Sequence, residues 1–392
     1  MKLNQYIKNI VVIIAMAAVF LNTSIAAEFA TVKALNEPLV LAKKYEVYSQ
    51  ILGQNRKFYL HLPAGYPKAG QQYPVLYIPD GKRKMQKTVA IVDDLATFGR
   101  RIPEMIVVGI ETNENRRDDL SQFDSSVAFL NFITKELKPY INSNYKTSGE
   151  NLLMGSSMGG EFVVRALLEQ PDEFDGYFAI SPSIYYSDFQ LVEKAKTVST
   201  SKQVLNKNLY LSVANEGWNQ GVEELVYHLK KYPIQGLKWQ FTKREQESHG
   251  SISLVQGYLG LQDYYKKWRA PHFANTQDFE DKGGVAGLKA FYQQRTPAII
   301  PIGILGHLAL LYVDQARALE AIELSLLAVK EHPTSGRALR NIAVVYEKLG
   351  ELTLAKKAYQ QAITVAIKNN HRASSIAAHK KALAAFNKRN SD

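Results

Sequence analysis

Between Tyr45 and about Ala270 short apolar runs alternate with longer stretches of helical period. The runs predict strands at Tyr45–Leu52, Lys57–Leu62, Pro74–Ile78, Met105–Ile110, Asn151–Met154, Gly176–Ile180, Asn208–Ala214 and Leu237–Thr242. The inner runs, Val75–Ile78 and Ile106–Ile110, are continuously apolar, as strands buried on both faces of a parallel sheet are. Helices are expected at Ser125–Ile141, Met158–Gln170, Gly221–Lys231 and Ile252–Trp268. Such alternation predicts an α/β fold, a mostly parallel central sheet with helices on both faces. Ligands of these sheets gather at the carboxyl ends of the strands.

After about Pro271 the strand pattern stops and a period of 34 residues begins. Leu305, Leu308, Ala309, Tyr312, Ala321 and Ala328 recur as Leu339, Ile342, Ala343, Tyr346, Ala355 and Ala362. The copies diverge at Ser325 against Tyr359 and at Pro333 against Ile367. This resembles the tetratricopeptide repeat, a helical hairpin whose small residues let paired helices pack closely. Two hairpins bury little surface alone, so flanking helices at Val285–Gln294 and Arg372–Asn387 are expected to complete an all-α domain. The division predicted is a leader at 1–26, an α/β domain at 27–275 and a helical domain at 276–392. The repeats can serve a protein partner or self-association, and the pattern does not choose.

Lys2 and Lys8 precede the apolar run Ile10–Leu21, which ends in Ser24-Ile25-Ala26-Ala27. A basic start, a short apolar core and small residues at the cut predict a secretory signal peptide, cleaved after Ala26 or Ala27. No other run approaches the length of a membrane span. The chain has no cysteine, which excludes disulfides, a thiol nucleophile and cysteine-bound zinc. The periplasm of a bacterium, or the medium, is the compartment expected. The net charge of +11 becomes +9 once Lys2 and Lys8 leave with the leader. The cations are scattered, without the basic-aromatic track of a nucleic-acid binder.

Chemistry concentrates at Gly155-Ser156-Ser157-Met158-Gly159-Gly160, between an apolar strand and a helical stretch. The spacing G-x-S-x-G centres on Ser157 and predicts a sharp strand-to-helix turn that exposes its hydroxyl. Ser156 has methionines at the corresponding positions and does not fit. The amide of Met158 opens the helix and can hold an oxyanion, and a second donor is expected from Gly81 or Lys82 after Ile78-Pro79-Asp80. A serine hydroxyl needs a base. Of the histidines downstream, His249 sits in a polar loop after the last strand, whereas His228 reads as solvent-facing among lysines and His272 follows the last helix. Glu216 follows the strand Asn208–Ala214 and is the first candidate for the acid. Glu223, Glu224 and a serine–histidine dyad without an acid are the alternatives. Neither a metal nor an organic cofactor is required.

From about Tyr45 to Trp268 the chain resembles the putative-esterase family of α/β hydrolases, which includes enterochelin esterases, S-formylglutathione hydrolase and mycolyltransferases. The resemblance is carried by Leu62–Tyr66, Tyr73–Gly81, Val108–Ile110, Arg116–Leu120, Glu136–Ile141, the serine turn and Ile180–Ser183. Asp80-Gly81, where other branches have His-Gly, looks closest to the siderophore esterases, and it implies a serine at Ser157 and a base at His249. The family implies an α/β-hydrolase sandwich and an esterase acting on a small-molecule ester through an acyl-enzyme, which the leader makes an exported one. Acyl transfer, as in the mycolyltransferases, and a non-catalytic periplasmic scaffold are the rival functions. Asp80, Tyr185, Tyr186 and Trp218 are the expected pocket residues, with Tyr185-Tyr186 standing where relatives often carry tryptophan.

Overall fold

A computed structural model describes residues 39–391 except 113, 115, 202, 218, 219, 294 and 296–298. The expected leader, 1–26, and Trp218 lie outside the described residues. All eight predicted strands form and join one sheet: β1 (Lys43–Ser49), β2 (Gln54–His61), β3 (Tyr73–Pro79), β4 (Ile106–Ile110), β5 (Thr147–Ser156), β6 (Gly176–Ile180), β7 (Asn208–Ala214) and β8 (Lys238–Arg244). Their spatial order is β1-β2-β4-β3-β5-β6-β7-β8. Only the β1–β2 and β2–β4 pairs are antiparallel.

The helices around the sheet are α1 (Gly81–Asp93), α2 (Arg116–Leu120), α3 (Phe123–Phe132), α4 (Lys138–Asn144), α5 (Met158–Glu169), α6 (Gln190–Thr200), α7 (Gln220–Lys231) and α8 (Ile252–Tyr264). The single helix expected over Ser125–Ile141 is α3 and α4 joined by a π turn at Ile133–Leu137. Successive side chains of a strand point to opposite faces, so the apolar strands feed two cores. Val75 and Tyr77 join Phe129 and Phe162 in one, while Leu76 and Ile78 join Val89 and Ile252 in the other.

Beyond β8 and α8 the chain is helical: α9 (Thr276–Asp281), α10 (Gly284–Gln293), α11 (Ile302–Asp314), α12 (Ala318–Glu331), α13 (Gly336–Lys348), α14 (Leu352–Lys368) and α15 (Ala373–Arg389). Helix α13 begins 34 positions after α11, and α14 begins 34 positions after α12, so the sequence period is a repeating helix pair. Ala309, Ala343, Ala321 and Ala355 are fully buried where the small residues of the repeat fall. Leu41–Asp392 clusters as one compact unit. At the junction Arg295 stacks over Trp268 at 4.2 Å and Phe291 at 3.7 Å and donates to the Lys267 carbonyl at 3.1 Å. No helix among the described residues is long and apolar enough to cross a membrane.

Candidate active site

The chain runs from β3 outward to β4 on one side, and from β5 through β8 on the other. The neighbouring β3 and β5 therefore flank the point where the winding reverses, and a crevice opens at their carboxyl ends. Ser157 is the first residue beyond β5, with φ 62° and ψ −129°. That backbone is strained for any residue with a Cβ, and the surroundings hold it. The Ser157 amide donates to the Ile180 carbonyl at 3.0 Å, and the Ser183 amide donates to the Ser157 carbonyl at 3.2 Å.

The turn is tight enough that the flanking glycines have no room for a side chain. A Cβ on Gly155 would lie 2.1 Å from the Gly159 carbonyl oxygen. Gly155→Ala must therefore push β5 and α5 apart and shift Ser157. A displacement near 1 Å at a reacting atom costs about 10²-fold in rate, and a loss of that size in ester hydrolysis, with a lowered thermal midpoint, is the expected result. Unchanged kinetics in that variant would show that Ser157 does not depend on the turn.

Two helices start beside Ser157. Met158 opens α5, and Gly81 opens α1 directly after β3. The first amides of a helix have no acceptor within it and carry the positive end of the dipole. The candidate oxyanion donors at Met158 and at Gly81 or Lys82 belong to these two first turns. The turns adjoin: a Cβ on Gly159 would lie 3.2 Å from Pro79 Cγ and 3.6 Å from Asp80 Oδ2. Gly81 also packs closely on β4, since a Cβ there would lie 2.3 Å from the Gly109 carbonyl carbon.

His249 and Glu216 come from the ends of β8 and β7, which pair in register up to Ala214 and Arg244. The Asn215 amide donates to the Glu247 carbonyl at 3.1 Å and ties the two loops. Across them His249 Nδ1 lies 2.5 Å from Glu216 Oε2, while Glu216 Oε1 accepts the Ala214 amide at 3.2 Å. The Glu216 side chain is 4% exposed and that of His249 34%. Glu223, in the first turn of α7, and Glu224 after it are exposed. His272 is exposed ahead of α9. The expectation that His228 faces solvent is corrected: it is buried, 3.0 Å from Ser199 Oγ, because α6 covers that side of α7.

Asp80, expected in the pocket, is engaged from another loop. Its carboxylate takes Arg116 Nε at 2.5 Å and Nη2 at 2.7 Å, and Thr112 Oγ1 at 3.2 Å. The bidentate grip fixes the left-handed Asp80 backbone from which α1 departs. The same residues, with Lys82 and Arg83, line a cavity of about 510 Å³. Tyr185 and Tyr186 pack against each other at 4.6 Å in the turn after β6, with Arg117 over the Tyr186 ring at 5.4 Å. Burial, then the neighbouring Tyr186 hydroxyl, pushes the Tyr185 hydroxyl up, while Ser183 pulls it the other way.

Three neighbours of the elbow escaped the sequence reading as site residues. Ser183 Oγ lies 3.3 Å from Ser157 Oγ. Lys84 Nζ donates to Ser156 Oγ at 2.8 Å, and burial, helped by the charge of Lys87, pushes its ammonium down to about 8. Arg116 is the third. Ser183 had a usable signal, since it lies just past β6, the strand beside β5.

A family model described as "Putative esterase" matches residues 49–267. Two Bacillus subtilis proteins are similar in sequence. The uncharacterized protein YbbA is 28% identical over 232 residues, covering 54% of this chain and 89% of the relative. The ferri-bacillibactin esterase BesA is 29% identical over 224 residues, covering 47% and 76%. The crystal structure of an IroE-like serine hydrolase from Shewanella oneidensis shares the fold, with a TM-score of 0.57 at 24% identity over 73% of this chain and 98% of that one. The chain belongs to the putative esterase family of α/β hydrolases.

Proposed function

We propose that this esterase is an exported serine hydrolase that cleaves a carboxylic ester through an acyl-enzyme. Ser157 Oγ attacks the ester carbonyl, and His249 takes its proton and returns it to the departing alkoxide. Water then enters, His249 removes its proton, and the acyl group leaves as the acid with Ser157 restored. Glu216 orients the His249 ring and stabilises its charged form, and amides of Met158 and of Gly81 or Lys82 hold the oxyanion. The observation that carries this reading is the His249–Glu216 pair at 2.5 Å, joined across the carboxyl ends of β8 and β7, on the edge of the sheet where the strained Ser157 follows β5.

The substrate class proposed is a siderophore-type ester, on the sequence similarity to the ferri-bacillibactin esterase. The helical region, 276–392, is read as a tetratricopeptide-like domain following an esterase domain at 27–275. Export rests on the leader, so protein recovered from the periplasm should begin at Ala27. The test of function is a panel of catecholate trilactones, p-nitrophenyl esters and acetylated or feruloylated sugars with the purified mature chain. A trilactone should be cleaved with a kcat/KM about tenfold or more above the others, to the free acid even when alcohols compete with water. A fluorophosphonate should label Ser157. Transfer to the alcohol would make the chain an acyltransferase, and absence of both turnover and labelling would make it a scaffold.

A further inference from the structure

We propose that the chain carries a second ligand site, a cavity between β8 and α8 that takes a small polyanion bearing several carboxylate or phosphate groups. The cavity measures about 430 Å³ and shares no residue with Ser157, His249 or Glu216. Three of its lining residues carry a buried donor atom without a protein acceptor: Arg244 Nε from the end of β8, and Gln256 Nε2 and Gln262 Nε2 from α8. Gln256 is only 9% exposed. Whichever way the two amides are turned, the guanidinium of Arg244 only donates.

A buried donor left unmatched costs free energy, so a protein surface rarely gathers three. The same cavity is also lined by Arg101, Lys266 and Arg269. The one carboxylate lining it, Asp263, accepts the Tyr210 hydroxyl at 3.2 Å and lies 3.6 Å from Lys266 Nζ. Four cations against one carboxylate leave an excess of three positive charges around a donor-lined space. Forked guanidinium groups match the paired oxygens of carboxylate and phosphate. The volume suits a molecule larger than a single inorganic ion. Because Arg244 precedes the His249 loop and Gln256 follows it, a bound anion ties both ends of that loop.

Calorimetric titration of the full mature chain with citrate in one arm and pyrophosphate in the other tests this. Ionic strength is matched with sodium chloride, and glycerol serves as the neutral control. One site per chain is expected for at least one anion, and the tighter arm identifies carboxylate or phosphate as the group recognised. Ser157→Ala should bind equally well. Arg101→Gln combined with Arg269→Gln should weaken binding by about tenfold or more, with circular dichroism and thermal midpoint reporting that the fold is kept. Gln256→Leu, at another lining residue, should weaken it as well. No saturable binding in either arm, or binding that the folded double variant leaves unchanged, overturns the proposal.

Discussion

Ser157→Ala is expected to lower kcat/KM for ester hydrolysis by about 10⁴-fold or more, with the fold intact. Without Oγ there is no acyl-enzyme, and what remains is water attack helped by the oxyanion donors. Alanine keeps the Cβ, so the backbone at φ 62° stays as strained as before. Among the described residues the hydroxyl takes with it its hydrogen bond to Ser183 Oγ at 3.3 Å. Thermal stability should therefore hardly move. Ser157→Gly is the sharper companion, because glycine accepts this backbone freely. It should be equally inactive and at least as stable. Ser156→Ala supplies the comparison on the neighbouring serine. Its hydroxyl is engaged by Lys84 and belongs to the α1 side of the sheet, so hydrolysis should stay within a few-fold of the parent. Steady-state kinetics and one denaturation curve per variant decide it. A Ser157→Ala enzyme that keeps its rate, or a Ser156→Ala enzyme that loses it, would assign the nucleophile elsewhere.

The sheet was legible because its strands are apolar runs bounded by polar loops, a pattern that local sequence carries in full. Two boundaries slipped for a physical reason. β5 starts at Thr147, not Asn151, because its first residues are polar and pair with β3 across a register shift between Tyr73 and Val75. The break at Ile133–Leu137 is a π turn, which hydrophobic periodicity cannot distinguish from continuous helix. At the site, Ser157 follows from glycine spacing, and His249 and Glu216 follow from strand ends in chain order. The Asp80–Arg116 grip was hidden because it joins loops after different strands, 36 residues apart, and no spacing rule encodes such a pair. His228 was misread because a run of lysines around it says nothing about α6, which supplies its partner Ser199. The cavity behind β8 was invisible for the same reason, since its cations are scattered from Arg101 to Arg269.

Glu216→Gln should lower kcat by about 10³–10⁴-fold with little change in KM, and the reason lies in its two oxygens. Oε1 accepts the Ala214 amide, and Oε2 faces Nδ1 of His249. A glutamine must turn an NH₂ toward one of them. Turned to Ala214, it sets donor against donor inside the protein, which costs the bond and the desolvation of both groups. Turned to His249, it requires Nδ1 to accept, so the ring proton moves to Nε2. That tautomer cannot take the proton of Ser157. Either way the imidazolium formed in the reaction loses the negative charge that stabilises it. Glu223→Gln and Glu224→Gln, exposed near the start of α7, should keep the parent rate. Substrate binding does not use this pair, so the effect should appear in kcat. A Glu216→Gln enzyme within tenfold of the parent would mean that Ser157 and His249 act as a dyad, with Glu216 reduced to holding the β7 loop.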